Sequence, residues 1–213
     1  MTADLFSLAN PDDPVAALER DLTAPTGPRI STMRNHNFAI LVYAPRKEFQ
    51  LRQRIRTMVG RLESDSWAVL SMALHQVLFE RLRARLGTEE LQALVERERH
   101  IYSRSPERAM NDLRQRLAEH IDGPDGLAAD IEQRIQAFRA QRPGVELDRT
   151  LVLLGRTGAL FPFFRNSALL KNLGGRTGNV PVVLLYPGEV REGGLSFMQE
   201  LEPDRDYRPR IYA

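Results

Sequence analysis

Four short, largely apolar runs place the strongest constraint on what this chain can fold into. They span Phe38–Tyr43, Trp67–Leu74, Thr150–Leu154 and Val180–Tyr186. Strands buried on both faces appear as continuous apolar runs, as in a parallel sheet, and parallel strands need a crossover segment between them. Helical patterns separate the runs here. The sequence therefore predicts an α/β fold with a mostly parallel sheet of about 4–5 strands and flanking helices.

Helical periodicity fills the space between these runs. The amphipathic stripe after the first run consists of Leu51, Ile55, Met58, Val59 and Leu62. The stripe after the second run consists of Leu78, Leu82 and Leu86. No strand-like run occurs between Thr88 and Ala140, where only helical stripes are found. We therefore predict that residues 88–145 form a helical insertion within a single α/β domain that spans residues 1–213.

The first 30 residues are predicted to form a short helix and a linker. Asp13 and Pro14 combine a helix N-cap with a proline at the first helical position, and the helix should run to about Leu22. The linker is rich in proline and glycine. The N-terminal segment lacks the basic and apolar regions of a signal peptide, and no apolar run approaches the ~20 residues of a membrane span. We expect a cytoplasmic protein without membrane contact.

Residues that usually carry chemistry are missing or scattered. The absence of cysteine excludes disulfides, thiolate metal sites, iron–sulfur clusters and a cysteine nucleophile. The four histidines show no H-x-x-x-H spacing; they are His36, His75, His100 and His120. Neither a Walker A motif nor a strand-anchored G-x-G-x-x-G motif occurs. We expect no metal site, no cofactor and no enzymatic activity.

One tetrapeptide, Gly-Arg-Thr-Gly, occurs twice, at residues 155–158 and 175–178. The first copy directly follows a predicted strand, where backbone amides and an arginine can form an anion-binding nest. A pair of tight turns in which glycine supplies a positive φ is the simpler interpretation. A degenerate nucleotide-binding protein stays an alternative hypothesis on this basis.

Charge is unevenly distributed along the chain, although 30 basic residues nearly balance 28 acidic ones. Arg46–Arg61 contains six Lys or Arg against Glu48 alone, and Arg149–Arg176 contains five and no acid. Such stretches can contact nucleic-acid phosphates. The arginines after Arg46 spread around their helix, however, which favours a solvated helix face. The candidates for the nucleic-acid alternative are Arg52, Arg54, Arg56, Arg61, Lys171 and Arg176.

Basic and aromatic residues follow the predicted strands, at the end of an open α/β sheet where ligands usually bind. The residues expected on this rim are Tyr43, Arg46, Arg156, Arg165 and Tyr186. The rim would suit an acidic partner or a phosphate. It contains no general base matched to a nucleophile, so it does not predict an active site.

The last third of the chain contains an ordered set of short pieces: Phe161-Pro162-x-x-Arg165, Leu169-x-x-Asn172-Leu173, Pro181-Val182-Val183, Tyr186-Pro187-Gly188, Gly194-Leu195-x-Phe197 and Asp206-Tyr207-Arg208. In this order, the pieces resemble the BrxB family of bacterial BREX phage-resistance systems. Asn37, the run that follows it, and Pro45 add a second match. The chain departs from the family pattern at Ser167, where a histidine is usual, and at Ala44, where an acid is usual.

The resemblance implies a role in antiphage defence within a cytoplasmic bacterial complex and no established catalytic activity. It implies a PglZ-type protein of the alkaline-phosphatase superfamily as partner and, through it, a BrxC-type ATPase. We therefore predict a non-catalytic adaptor, with nucleic-acid binding in the same system as the alternative. The candidate partner-binding residues are Arg46, Arg156, Phe161, Phe163, Arg165, Asn172, Tyr186, Gly188, Tyr207 and Arg208.

Overall fold

A computed structural model describes residues 13–30 and 37–213. Its helices, numbered in chain order, are α1 (Pro14–Leu22), α2 (Glu48–Ser64), α3 (Leu74–Tyr102), α4 (Pro106–Ile121), α5 (Leu127–Ala140) and α6 (Asn166–Leu173). Its strands are β1 (Phe38–Tyr43), β2 (Ala68–Ala73), β3 (Thr150–Gly155), β4 (Val182–Arg191), β5 (Gly194–Phe197) and β6 (Arg210–Tyr212). Short 3₁₀ turns occupy residues 45–47, 147–149 and 157–160.

Five of the six strands form a parallel sheet in the order β2-β3-β4-β1-β6. The remaining strand, β5, is antiparallel to the last part of β4. All six residues of β1 are buried, as expected for a strand between two neighbours and under two helical layers. The prediction of an α/β fold with a mostly parallel sheet is confirmed.

The two faces of the sheet support separate hydrophobic cores. In β1, Phe38, Ile40 and Val42 pack with α3, α4, α5 and α6. Ala39, Leu41 and Tyr43 pack on the other face with α1 and α2. Successive side chains of a strand point to opposite faces, so one apolar run feeds both cores. The protein is a three-layer sandwich of helices, sheet and helices.

Three helices, α3 to α5, fill the chain between β2 and β3. Gly87, with a φ of 71°, interrupts the helical geometry of α3. Ser105 caps the start of α4: its hydroxyl accepts a hydrogen bond from Arg108 N at 3.4 Å. Leu117 of α4 and Ile131 of α5 pack into the core beneath the sheet. The segment thus covers one face of the sheet.

The N-terminal helix begins as predicted. Asp13 caps α1 by accepting a hydrogen bond from Val15 N at 3.2 Å, and Pro14 occupies the first turn. The helix ends at Leu22, and its buried side chains contact the α2 face of the sheet. Of the predicted segment 1–30, the first 12 residues lie outside the described part of the chain. No helix in residues 13–30 and 37–213 has the length and apolarity to cross a membrane.

Two predictions about the last third of the chain were wrong. The strand expected to end at Tyr186 continues to Arg191, because β5 supplies new hydrogen-bond partners where the pairing with β1 stops at Pro187. The four predicted strands do not include the C-terminal segment, which contributes β6: its residues Arg210–Tyr212 pair with β1. The partner of β6 lies far away along the chain, whereas β5 directly follows β4 in a hairpin.

Candidate interaction surface at the carboxyl ends of the strands

The carboxyl ends of the parallel strands meet at one edge of the sheet, as their register shows. Ala73 of β2 is paired with Gly155 of β3, and Tyr43 of β1 is paired with Pro187 of β4. We call this edge the strand-end surface. It places the loops after β1 and β3, on opposite sides of β4, near one another.

Tyr43, Glu48 and Arg156 form a cluster on this surface. The Tyr43 hydroxyl donates a hydrogen bond to the Glu48 carboxylate, and Arg156 Nη1 lies 3.5 Å from Glu48 Oε1. Burial, followed by the hydrogen bond to Glu48, raises the pKa of Tyr43 well above its usual range. The single acid in the Arg46–Arg61 stretch thus joins the end of β1 to the loop after β3.

The start of α2 presents an exposed aromatic side chain that is not among the residues predicted from the sequence. Phe49 is 66% exposed, in the first turn of α2 and three residues after the exposed Arg46. The apolar stripe of α2 begins at Leu51, and Phe49 lies off that stripe. The sequence does contain a signal for this residue, because Phe49 is an aromatic residue that falls outside the buried stripe of α2. We call Arg46, Phe49 and Arg156 the β1 patch.

The Phe161–Arg165 loop is only partly available to a partner. Phe161 and Phe163 are half-buried and pack against the core, with the Phe161 ring 6.0 Å from that of Phe197. Arg165 is exposed, whereas Asn172 is half-buried on α6. Burial raises the pKa of Asp122, and the positive charge of Arg165 offsets part of this rise.

Tyr186 and Gly188 are buried within β4 and do not present side chains to a partner. Tyr186 Oη donates to Leu195 O at 3.1 Å, and its ring contacts Tyr207 edge-on at 5.8 Å. A β-carbon at Gly188 would lie 2.2 Å from Ser196 O, so this position requires glycine. Burial raises the pKa of Tyr186 to about 12. The exposed Arg208 follows the half-buried Tyr207.

The structure distributes the predicted rim over two faces of the sheet. Tyr43 packs with the α1 and α2 face, whereas Tyr186 packs with the opposite face. Arg46 and Arg156 therefore accompany Tyr43, whereas Arg165 belongs with Tyr186. The predicted residues therefore form two neighbouring patches instead of one continuous rim.

The two Gly-Arg-Thr-Gly turns are engaged in internal contacts. In the first turn, Arg156 has a φ of 62°, and the buried Thr157 hydroxyl donates to Leu185 O at 3.1 Å. In the second, Arg176 Nε lies 2.6 Å from Glu132 Oε2, and Arg176 Nη1 lies 2.5 Å from Pro124 O. These contacts hold loops together, and they engage the Thr157 hydroxyl and the Arg176 guanidinium within the protein.

Three of the six candidates for nucleic-acid binding form ion pairs within the protein. Arg54 pairs with Asp13. Arg61 donates to Glu19 at 2.5 Å and 2.6 Å. Arg176 pairs with Glu132, as above. The other three have no ion pair with a described residue and are divided between α2 and α6, which cover opposite faces; they are Arg52, Arg56 and Lys171.

No group of three His, Cys, Asp or Glu side chains suited to a metal ion occurs among residues 13–30 and 37–213. His75 and His120 are isolated from such groups, and His36 lies outside the described residues. The strand-end surface presents exposed cations, aromatic rings and one engaged carboxylate, that of Glu48.

Comparison with known proteins supports the resemblance found in the sequence. The model of the family described as "BREX protein BrxB" matches residues 70–211, from β2 into β6. A curated relative, "BREX protein BrxB" of Bacillus cereus (strain H3081.97), is 27% identical over 172 residues, or 80% of each chain. No solved structure matches this chain. Since the family model covers more than half of the sequence, the chain belongs to the BrxB family.

Proposed function

We propose that this protein is a non-catalytic adaptor in a BREX-type antiphage defence complex. Its partner would be a PglZ-type protein of the alkaline-phosphatase superfamily, with a BrxC-type ATPase joining through it. Membership of the BrxB family supports a place in a BREX system. The adaptor role and the identity of the partner are our extension of that membership.

One observation carries the adaptor proposal: the β1 patch combines a large exposed ring with two exposed arginines. Phe49 is 66% exposed, and Arg46 and Arg156 emerge from loops anchored directly to buried strands. Aromatic and arginine side chains carry most of the binding energy in protein interfaces. Their anchoring reduces the ordering cost of association.

The charge of the β1 patch defines the partner's surface. Glu48 already pairs with Arg156 at 3.5 Å, so the patch retains a net positive charge. A complementary surface would be acidic around an apolar pocket that accepts the Phe49 ring. Arg165 and the Phe161–Arg165 loop would form the second contact area, across the end of β4.

Co-purification of this protein with a PglZ-type protein tests the proposal. Phe49→Ser and Arg46→Glu should each weaken the complex at least tenfold without lowering the melting temperature, because both side chains are exposed. Tyr102→Ser and Arg104→Glu are matched controls, since they alter an exposed ring and an exposed cation at the end of α3. The absence of a complex at micromolar concentrations would refute the adaptor role.

The nucleic-acid alternative makes a different prediction. Arg52, Arg56 and Lys171 would supply its phosphate contacts, and the affinity would fall steeply between about 50 and 200 mM salt. An Arg52→Glu/Arg56→Glu double variant would then lose duplex binding while keeping the PglZ-type partner. Unchanged duplex mobility at low salt would exclude this alternative.

Thermal shifts with nucleotides test the third hypothesis, a degenerate nucleotide site at the Gly-Arg-Thr-Gly turns.

A further inference from the structure

The strand β2 forms one edge of the parallel sheet, and within residues 13–30 and 37–213 only β3 pairs with it. Its six residues, Ala68–Ala73, include no charged residue, no proline and no glycine. Natural proteins usually protect an open edge by keeping it short or by placing charges or proline on it. The opposite edge follows this rule, because β6 has three residues and begins with Arg210. The β2 edge therefore lacks the features that prevent pairing with another strand.

The open side of β2 offers backbone hydrogen-bonding groups at Val69 and Ser71. A β-carbon at Gly155 of β3 would lie 4.0 Å from Met72 O, so the Met72 carbonyl faces β3. The N–H and C=O groups of successive residues point alternately to the two sides of a strand. Those of Val69 and Ser71 therefore point away from β3. The Ser71 side chain is exposed, in contrast to the fully buried β1, so another strand can approach here.

One flank of α2 lies on the side of the β2 edge. The other flank faces α1, because Arg54 and Arg61 form ion pairs with the α1 cap and with Glu19. Helix α1 contacts β1 and β6, whereas α2 contacts β2, so the flank of α2 away from α1 is directed towards the β2 edge. The helical spacing places four residues on this α2 flank: Arg52, Arg56, Val59 and Glu63.

The charges of the α2 flank are complementary to a second copy of the same flank. Neither Arg52 nor Glu63 forms an ion pair with a described residue, and about three helical turns, or roughly 16 Å, separate them. Two copies in antiparallel alignment bring Arg52 of each chain to Glu63 of the other. The same alignment sets the apolar stem of Arg56 against Val59. Parallel alignment would instead place like charges together, so the flank matches a copy related by twofold symmetry.

We propose that this protein forms a twofold-symmetric dimer in which β2 pairs antiparallel with β2 of a second copy. The two parallel sheets join into one continuous sheet, and the two α2 flanks pack across the symmetry axis. Pairing centred on Leu70 or Ser71 sets the two Ser71 side chains on the same face, opposite or diagonal to each other. Because β3 and β4 separate β2 from β1, the β1 patch of each copy stays free. The dimer thus presents two β1 patches.

Sedimentation velocity of the isolated protein in the micromolar range tests the proposal. The wild type should sediment as a dimer at high micromolar concentration and dissociate on dilution. Ser71→Lys should weaken the dimer about tenfold, because it places two like charges close to the symmetry axis. Its melting temperature as a monomer should be unchanged, because the side chain is exposed. Ser103→Lys, at an exposed serine after α3, is the matched control and should dimerise normally.

Charge reversal tests the contact between the α2 flanks. Glu63→Arg should weaken the dimer about fivefold, and the double variant Arg52→Glu/Glu63→Arg should restore it. The two residues are too far apart to pair within one chain, so this restoration requires contact between chains. Hydrogen exchange provides a separate measurement at the strand. The Val69 and Ser71 amides should exchange slowly at dimeric concentration and rapidly on dilution.

Three outcomes would overturn the inference. A monomer at every concentration would show that β2 does not pair with itself. A dimer that Ser71→Lys leaves intact would place the interface elsewhere. Protection of the Ser71 amide only after addition of a PglZ-type protein would show that β2 accepts a strand of a different protein. The first two measurements use this protein alone, so their results are independent of the adaptor role.

Discussion

Arg81 and Asp130 form an ion pair at 2.9 Å between α3 and α5, and the arginine side chain is only 7% exposed. Arg81 also donates to Asp125 O, in the loop before α5. The removal of one partner from a buried pair leaves a charge without compensation. We expect Asp130→Asn to lower the free energy of unfolding by about 3 kcal/mol.

Urea denaturation measures this effect, and the exposed Glu80–Arg134 pair between the same two helices provides the control. Glu80→Gln should cost less than about 1 kcal/mol, because water screens an exposed pair. Equal losses for the two substitutions would show that the burial of Arg81 is not what makes the Asp130 contact strong.

Two glycines give opposite predictions for the same substitution. At Gly126, before α5, a β-carbon would lie 2.4 Å from Asp122 O and 2.5 Å from Ile121 O, so Gly126→Ala should cost about 2 kcal/mol. At Gly60, inside α2, nothing lies within 4 Å of that position, so Gly60→Ala should stabilise by about 0.5–1 kcal/mol. Thermal unfolding of both variants, together with the wild type, tests the pair. A stabilising Gly126→Ala would contradict the tight turn at the end of α4.

Asp112 makes the stability of the helical segment sensitive to acid. A hydrogen bond from Arg97, supported by one from Arg116, lowers the pKa of Asp112 to about 2 from an ordinary 3.8. A lowered pKa contributes stability above pH 3.8, and the contribution is lost as the pH falls towards 2. The stability difference between wild type and Asp112→Asn should therefore shrink over that interval. A constant difference from pH 5 to pH 2 would exclude the contact in solution.

Tyr212 fastens β6 to α1. Its ring is 5% exposed in the α2-side core, and its hydroxyl donates to Asp21 Oδ2 at 2.8 Å. Tyr212→Phe should cost about 1 kcal/mol for the lost hydrogen bond, whereas Tyr212→Ala should cost about 3 kcal/mol because it also leaves a cavity. Denaturant titration of both variants separates the hydrogen-bond contribution from the packing contribution. Similar losses of stability in the two variants would mean that the Tyr212 ring contributes little packing.

The parallel sheet could be predicted because the pattern that indicates each strand lies within a few consecutive residues. Every residue from Phe38 to Tyr43 is apolar, and a strand under helices on both faces needs that composition. The start of α1 was equally local, since Asp13 and Pro14 are adjacent in the chain. The extent of β4 was missed because Pro187 looks like a stop, although the new partner, β5, begins soon afterwards at Gly194. The strand β6 could not be predicted locally, because its partner β1 lies far away along the chain.

The candidate surface was predicted less completely for the same reason. Tyr43 and Arg156 do share a cluster, but Glu48, which joins them, looked like an ordinary acid in a basic stretch. Arg61 was selected for its charge, and its partner Glu19 lies 42 residues away.

The order of the strands has a consequence for how the chain folds. β1 pairs with β4 and β6, both of which come much later in the sequence, and the Asn37 side chain donates to Asn179 O, 142 residues away, at 2.6 Å. During synthesis on the ribosome, β1 therefore emerges without either neighbour and exposes six apolar residues until β4 follows. A fold dominated by such distant pairings forms slowly, and its intermediates are prone to aggregate. Low temperature and chaperone supply should therefore matter more for the yield of this protein than for a helical bundle of equal size.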